Sequence, residues 1–296
     1  MSSSRPSSRG GSGSDGGSDL SGSIDLLSAA EAPVHPVPLG PSGLRLGALW
    51  EAIQRSLPRL VYLVPSYHNP TGRLMSQPPR QEIARLAEDL QVIVVEYNSL
   101  AEIRIGPKPP PPIAAFAPSA PIVTVKSLSK LFWGGLRGGW IRAPGPLLAP
   151  LLRVKGNDDL GSSVPGQVIA TAVMDEIDRA AEFRHTQVTA RMEALSGALR
   201  EALPSWSWEP PGGGLSLWIR LPFGSAVELA QIAQRHGVAV LPGPATSNQG
   251  GWADHLHLPY IHPPDVLREG VSRLALAWEE YEAMSRRRPK TMRVVV

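Results

Sequence analysis

The chain has 296 residues, enough for one large domain or two ordinary ones around a sizeable core. Its 29 basic and 26 acidic residues leave a net charge of only +3, so composition makes no case for a nucleic-acid partner. Cysteine is absent, which excludes disulfides, thiolate metal sites and cysteine nucleophiles, and no apolar run is long enough to cross a bilayer.

Residues 1–23, MSSSRPSSRGGSGSDGGSDLSGS, are Ser/Gly low complexity. Such sequence cannot bury enough apolar surface to offset its ordering entropy, so disorder is expected. It also lacks the apolar core of a signal peptide, so a cytoplasmic protein is expected. A Pro-rich connector follows, and order is expected from about Leu44. Leu49, Ile53 and Leu57 mark a helix that leads into a strand at Val61–Val64. Ser76 can cap a second helix, with Ile83, Leu86, Ala87 and Leu90 on one face. Val92–Val95 is a continuous β-branched run, the pattern of a parallel strand buried on both faces. After a Pro-rich loop, Ile122–Val125 repeats that pattern. Three strands with crossovers predict a doubly wound sheet. From about Gln167 a long helix runs to Leu203, followed by a strand at Leu215–Leu221 and a helix to Met284 with Val266, Leu267, Val271, Leu274 and Trp278 on one side. These patterns divide the chain into a Ser/Gly/Pro-rich segment (1–43), a large α/β domain (44–166), a smaller α+β domain (167–284) and a basic tail (285–296), read as a frayed end.

Two segments carry chemistry. SLSKLFWGGLRGGW, Ser127 to Trp140, takes a strand into a Ser-x-Ser-Lys turn and then a Gly-rich stretch. Schiff-base chemistry needs an amine held in place and neutral part of the time, which Lys130 could supply. A phosphate needs short hydroxyls, backbone N–H groups and a forked cation, which Ser127, Ser129 and Arg137 could supply. PSYHNPTG, Pro65 to Gly72, follows a strand directly and is a turn by composition. Open α/β sheets bind ligands at the carboxyl ends of their strands, so Asn69 could donate a hydrogen bond to one.

These two segments, with VVEYNSLAE (94–102), GGLSLWIRLP (213–222), GVAVLPGPA (237–245) and DHLHLPYIHPP (254–264), resemble the class I/II aminotransferases of pyridoxal-phosphate fold type I. The closer resemblance is to the aminotransferase-like domain of MocR-type regulators, and it spans roughly Leu44 to Met284. It implies a partial fold-type I large domain, a mostly parallel sheet with helices on both faces, joined to a smaller C-terminal α+β domain. The cofactor it implies is pyridoxal 5'-phosphate. Lys130 would form the Schiff base, Asn69 would contact the phenolic oxygen, and Ser127, Ser129 and Arg137 would bind the phosphate. Trp133 and Trp140 are expected to pack. A homodimer is implied, with an amino acid and a 2-oxo acid as small-molecule partners.

The chain departs from the family pattern in three places. The aspartate that faces the pyridine nitrogen is Tyr97 here, a phenol that is neutral at pH 7 and can only hydrogen-bond. Asn98 cannot take its place, because adjacent strand residues point to opposite faces. The arginine placed for the substrate carboxylate is His257, which cannot form the bidentate fork; packing is its first expected role, and it is the substrate-binding candidate by position. Residues 1–43 offer neither the phosphate loop nor the ring-stacking aromatic that precede this region in the family, nor a winged-helix module, so an N-terminally truncated domain with an open sheet edge is expected. Two readings follow. One is an enzyme that moves an amino group between an amino acid and a 2-oxo acid through Lys130. The other is a catalytically impaired sensor or regulatory relative that binds the cofactor without turnover.

Overall fold

The computed structural model describes residues 27, 29–40, 43–159, 161–246 and 251–287. The expectations for residues 1–23 and for the tail beyond 287 lie outside them. Leu27 and Ala29 are helical and the first ladder pairs β1 (Leu39–Gly40) with β2 (Gly43–Leu44), so regular structure starts well before Leu44. Helix α1 (Leu46–Ser56) buries Leu49 and Ile53. It stops before Leu57, which takes the left-handed C-cap conformation and is 80% exposed, contrary to the periodicity.

The first sheet has the order β3 (Leu60–Leu63), β4 (Ile93–Tyr97), β5 (Ile122–Ser127), β6 (Gly139–Arg142). β3, β4 and β5 are parallel, and β6 runs antiparallel to β5 at the edge. Helix α2 (Gln77–Leu90) begins at Ser76, but the Ser76 side chain makes no capping bond, and Leu90 is exposed. Val61, Leu63, Val94 and Ile122 form one cluster with Leu49 and Ile53 of α1 and Ile83, Leu86 and Ala87 of α2. The expectation that β4 is buried on both faces is corrected here. Val94 and Glu96 are buried, whereas Ile93, Val95 and Tyr97 on the other face are only half-buried. A β-branched run records an apolar environment, and it does not record how completely each face is covered.

Next come α3 (Gly145–Asp159) and α4 (Val164–Met174), neither of which buries a residue. The long helix expected from Gln167 is α4 followed, after a break at Asp175–Glu176, by α5 (Ile177–Ala202). The second sheet has the order β7 (Ser207–Trp208), β8 (Ser216–Arg220), β10 (His255–Pro259), β9 (Leu241–Pro242), all antiparallel. Leu217, Ile219, Leu256 and Leu258 from this sheet share a core with α5, α6 (Ala226–Arg235) and α7 (Pro264–Arg287). α7 continues three residues beyond Met284, and Val266 on its expected inner face is exposed. None of the described helices is long and apolar enough to cross a membrane. The α/β class expected from the sequence is the class observed, with a mostly parallel sheet followed by α+β structure.

Candidate active site

The site lies where the carboxyl end of the parallel sheet meets the second sheet. Chain leaving β3 forms a tight loop over residues 65–75. Met75 N donates to Pro65 O at 2.8 Å, His68 N to Arg73 O at 2.8 Å, and Gly72 N to His68 O at 2.6 Å. Arg80, on α2 and 1% exposed, holds both ends of this loop. Its Nη2 donates to Pro65 O and Ser66 Oγ at 3.0 Å each, its Nε to Met75 O at 3.0 Å, and its Nη1 to Pro111 O at 3.2 Å. A guanidinium suits this task because its donors are fixed in a plane and can reach several carbonyls at once. Asn69 sits at the tip of the loop. Tyr67 is fully buried at φ +56°, a left-handed conformation that costs a non-glycine residue about 1–2 kcal/mol.

The lysine turn is anchored on both sides of Lys130. Leu128 and Leu131 are buried, while Ser129 and Lys130 between them are half-buried. Phe132 N donates to Leu128 O at 2.9 Å, and Leu128 N to Gly138 O at 3.0 Å. Arg184 reaches across from α5 and donates to Leu131 O at 2.8 Å and Phe132 O at 3.2 Å. The turn that positions the amine is therefore fixed by the same helix that packs the second sheet.

Two glycines let the loops meet. At Gly72, with φ +66°, an added Cβ would lie 2.4 Å from Pro211 Cβ. At Gly213 it would lie 2.4 Å from Ile103 O and 2.6 Å from the Tyr67 ring. No side chain fits at either place, so both are glycine. The joint encloses a cleft with about 520 Å³ of empty space, part of it open to solvent. Tyr67, His68, Asn69, Lys130, Ser216 and His257 contribute to its wall.

Of the residues singled out from sequence, Lys130, Asn69 and His257 come together in this wall. Tyr97, Ser127, Ser129 and Arg137 do not line it. Tyr97 is stacked on Tyr62, with ring centroids 6.2 Å apart. Ser127 Oγ accepts from Ser129 N at 3.2 Å, and Arg137 is exposed at the end of a 3-10 turn. Trp140 is half-buried beneath the Lys126 amine, 5.7 Å from its ring centroid, whereas Trp133 is 69% exposed, so packing within this chain does not account for it. Sequence reasoning missed Tyr67 and His68, which stand beside Asn69 in the segment already singled out. Buried Glu96 lies on the opposite face of β4 from Tyr97. Its carboxylate accepts from Thr124 Oγ1 at 2.6 Å, from Asn98 Nδ2 at 3.1 Å, and from Ile113 N and Ala114 N at 2.7 and 3.2 Å. It supports the strand and takes no part in the cleft.

Burial pushes His257 down to about 4, and burial followed by the Arg73 cation does the same to His68. Burial pushes Tyr67 up to about 12, so its phenol stays protonated. The histidines have a consequence for stability. Between the ordinary value of 6.5 and about 4, an unfolded chain binds a proton that folded His257 does not. Stability therefore rises with pH through that window and is lost on acidification, by roughly 3 kcal/mol for His257 alone. Urea denaturation at about pH 7 and about pH 4.5 should register this loss, and His257→Gln should reduce it. An unchanged pH dependence in the variant would contradict a buried neutral imidazole.

Comparison with known proteins places this geometry among relatives. The profile of the family "Aminotransferase class I and II" matches residues 23–271. The aromatic-amino-acid aminotransferase 1 of Thermococcus litoralis is 30% identical over 253 residues, covering 81% of this chain and 60% of that protein. An uncharacterized HTH-type transcriptional regulator of Bacillus subtilis, YdfD, is 31% identical over 226 residues, covering 75% of this chain and 46% of the regulator. Among solved structures, the α-aminoadipate aminotransferase LysN of Thermus thermophilus, complexed with N-(5'-phosphopyridoxyl)-L-leucine, superposes with a TM-score of 0.84 at 28% identity, covering 90% of this chain and 70% of that one. The chain thus spans about half to three-fifths of the length of these two sequence relatives.

Proposed function

The chain belongs to the class I and II aminotransferase family, and from that premise we propose that it binds pyridoxal 5'-phosphate through Lys130 and moves an amino group between an amino acid and a 2-oxo acid. The observation that carries this reading is that Lys130 and Asn69, from loops 61 positions apart in sequence, border one cleft. The residues present fit the cofactor at its aldehyde end. Asn69 Oδ1 and Tyr67 Oη are buried there without a protein partner, and a buried polar group without a partner is costly unless a ligand supplies one. Lys130 would hold the aldehyde carbon, and Asn69 would donate from its Nδ2 amide to the ring oxygen. From the same turn Ser127 and Ser129 would offer hydroxyls, and Arg137 its fork, to the phosphate. Tyr97 would meet the ring nitrogen only as a neutral hydrogen-bond partner.

Bound there, the cofactor supplies an electron sink for the bonds at the donor's amine-bearing carbon. The chain's own part is positional and acid–base. Arg80 and Arg184 fix the two loops, and Lys130 Nζ, at the wall of the cleft, would take a proton from that carbon and return it. Leu100, Leu215 and Ile261 add apolar surface to the wall of the cleft. The test is a half-reaction. Protein loaded with pyridoxal phosphate is mixed with an amino donor, and the conversion of the cofactor to its amine form is measured. Loading with conversion supports the reading; loading without conversion favours a second one.

That second reading is a cofactor-binding sensor or regulatory relative that does not turn over. It is favoured by Tyr97 and His257, both neutral where the resemblance implies an aspartate and an arginine. Tyr97→Asp should raise the half-reaction rate by roughly tenfold or more if charge at the ring nitrogen limits the chemistry. No gain at equal cofactor loading would remove Tyr97 as the cause.

A further inference from the structure

We propose that Tyr67 Oη, together with Arg104 Nε, receives the α-carboxylate of the amino acid and of the 2-oxo acid. This rests on the pyridoxal-phosphate reading above and adds a seat for the group that donor and acceptor share. Tyr67 is fully buried and belongs to the same cleft wall as Lys130. Its hydroxyl has no protein partner. Arg104 Nε is buried and has none either. The rest of that guanidinium is engaged. Nη2 donates to both oxygens of Glu182, at 2.7 and 2.8 Å, and Nη1 to Gly106 O at 3.0 Å. Those bonds hold the group still and leave its buried Nε–H with nothing to meet. Gly213 brings the two residues together. It forms a β-bridge with Arg104, it lines the cleft, and an added Cβ on it would lie 2.6 Å from the Tyr67 ring.

The chemistry of the pair selects an anion. Burial pushes the Tyr67 phenol up to about 12, and Arg104 is the charged group that opposes this most. The phenol therefore keeps its proton and presents a donor, as the guanidinium Nε does, and a carboxylate has two oxygens to accept them. Hydrogen bonds to an ionised acceptor are roughly twice as strong as neutral ones, and more so where water is excluded. A buried donor without a partner is costly, and a side chain with no exposed surface gains a partner only from what enters the cleft it lines. With the carboxylate seated at Tyr67 and the amine at the Lys130 end, the α-carbon is fixed between them, so Tyr67 acts by positioning.

The test compares two reduced adducts, phosphopyridoxyl-L-leucine and phosphopyridoxyl-3-methylbutylamine, which differ only in the carboxylate. Each is titrated calorimetrically into the cofactor-free 296-residue chain and its variants. The unaltered protein should bind the leucine adduct at least about tenfold more tightly, and Tyr67→Phe should remove most of that preference. Arg104→Lys keeps a cation for Glu182 but loses Nε, and should shrink the preference too. Without ligand, Tyr67→Phe should leave the urea midpoint unchanged or raise it, because it deletes a hydroxyl that bonds nothing. Equal affinity of the unaltered protein for the two adducts, or a preference that survives Tyr67→Phe, overturns the proposal and leaves the cofactor reading standing. So does a clear fall in the Tyr67→Phe midpoint, which would mean that the hydroxyl has a partner inside the protein. A full preference in Arg104→Lys removes Arg104 from the seat. Failure of both adducts, and of pyridoxal phosphate itself, to bind the unaltered chain overturns the cofactor reading as well.

Discussion

Lys130→Ala is expected to abolish covalent attachment of pyridoxal phosphate and to lower amino transfer by roughly a thousandfold or more. The lysine has two tasks in the proposed chemistry, holding the aldehyde and carrying the proton, and alanine can do neither. The substitution should leave the fold intact. The side chain is half-buried, and the turn is fixed by its neighbours, Leu128, Leu131 and the Arg184 bonds to Leu131 O and Phe132 O. The check is the visible absorption of the loaded protein, before and after borohydride, beside the far-ultraviolet dichroism of the same samples. A band of undiminished intensity in the variant would place the attachment on another amine.

Arg80→Met should cost the most stability, about 3–5 kcal/mol. The methionine approximates the volume but leaves buried Ser66 Oγ without this donor, Pro65 O with Met75 N alone, and Met75 O and Pro111 O, at the partly open rim, without the guanidinium that joins them. Burial holds the Arg80 guanidinium below its usual pKa, with Glu96 and Tyr67 working in the other direction. It stays a cation nonetheless, and its value to the fold lies in geometry. Arg80→Lys should recover only a minor part of the loss, because a single ammonium cannot span both ends of the loop. Urea denaturation measures it. A cost below about 1 kcal/mol would mean that the 65–75 loop closes on its own backbone bonds and that Arg80 merely fills space.

The cleft's key residues were legible because each sits in a short motif whose chemistry is local. Lys130 follows a strand and precedes glycines, and Asn69 ends a turn at a strand's carboxyl end. The two α/β sheet strands at Val94 and Ile122 were legible for the same reason: β-branched runs have few alternatives. What periodicity missed was decided by tertiary contact. Leu57 continues the apolar spacing of α1 but follows the helix as its exposed cap. β6 is written in glycine and tryptophan and exists because β5 offers it a ladder. α3 carries an internal Pro150 and so gave no clean helical signal. Val95 and Tyr97 have the composition of a core strand, yet their face is only half covered. The neutrality of His257 was not visible either, since a histidine between two leucines becomes a buried, uncharged ring only once β8 and β9 flank it.

Tyr67 is a different case. Nothing in PSYHNPTG marks the tyrosine above its neighbours, and its role follows from a positive φ, a ring packed against Gly213 and a hydroxyl sealed from solvent without a partner. Residues held in such conformations cluster at functional sites, where surrounding packing maintains the strain.

The account depends most directly on which amine meets the cofactor. The 296-residue chain incubated with pyridoxal phosphate, reduced with borohydride and mapped by peptide mass spectrometry should carry the label on Lys130, and essentially nowhere else. Lys126, four residues earlier and engaged by Glu102, is the nearest internal control. Label on Lys126, or spread over several lysines in proportion to their exposure, would contradict the site described here.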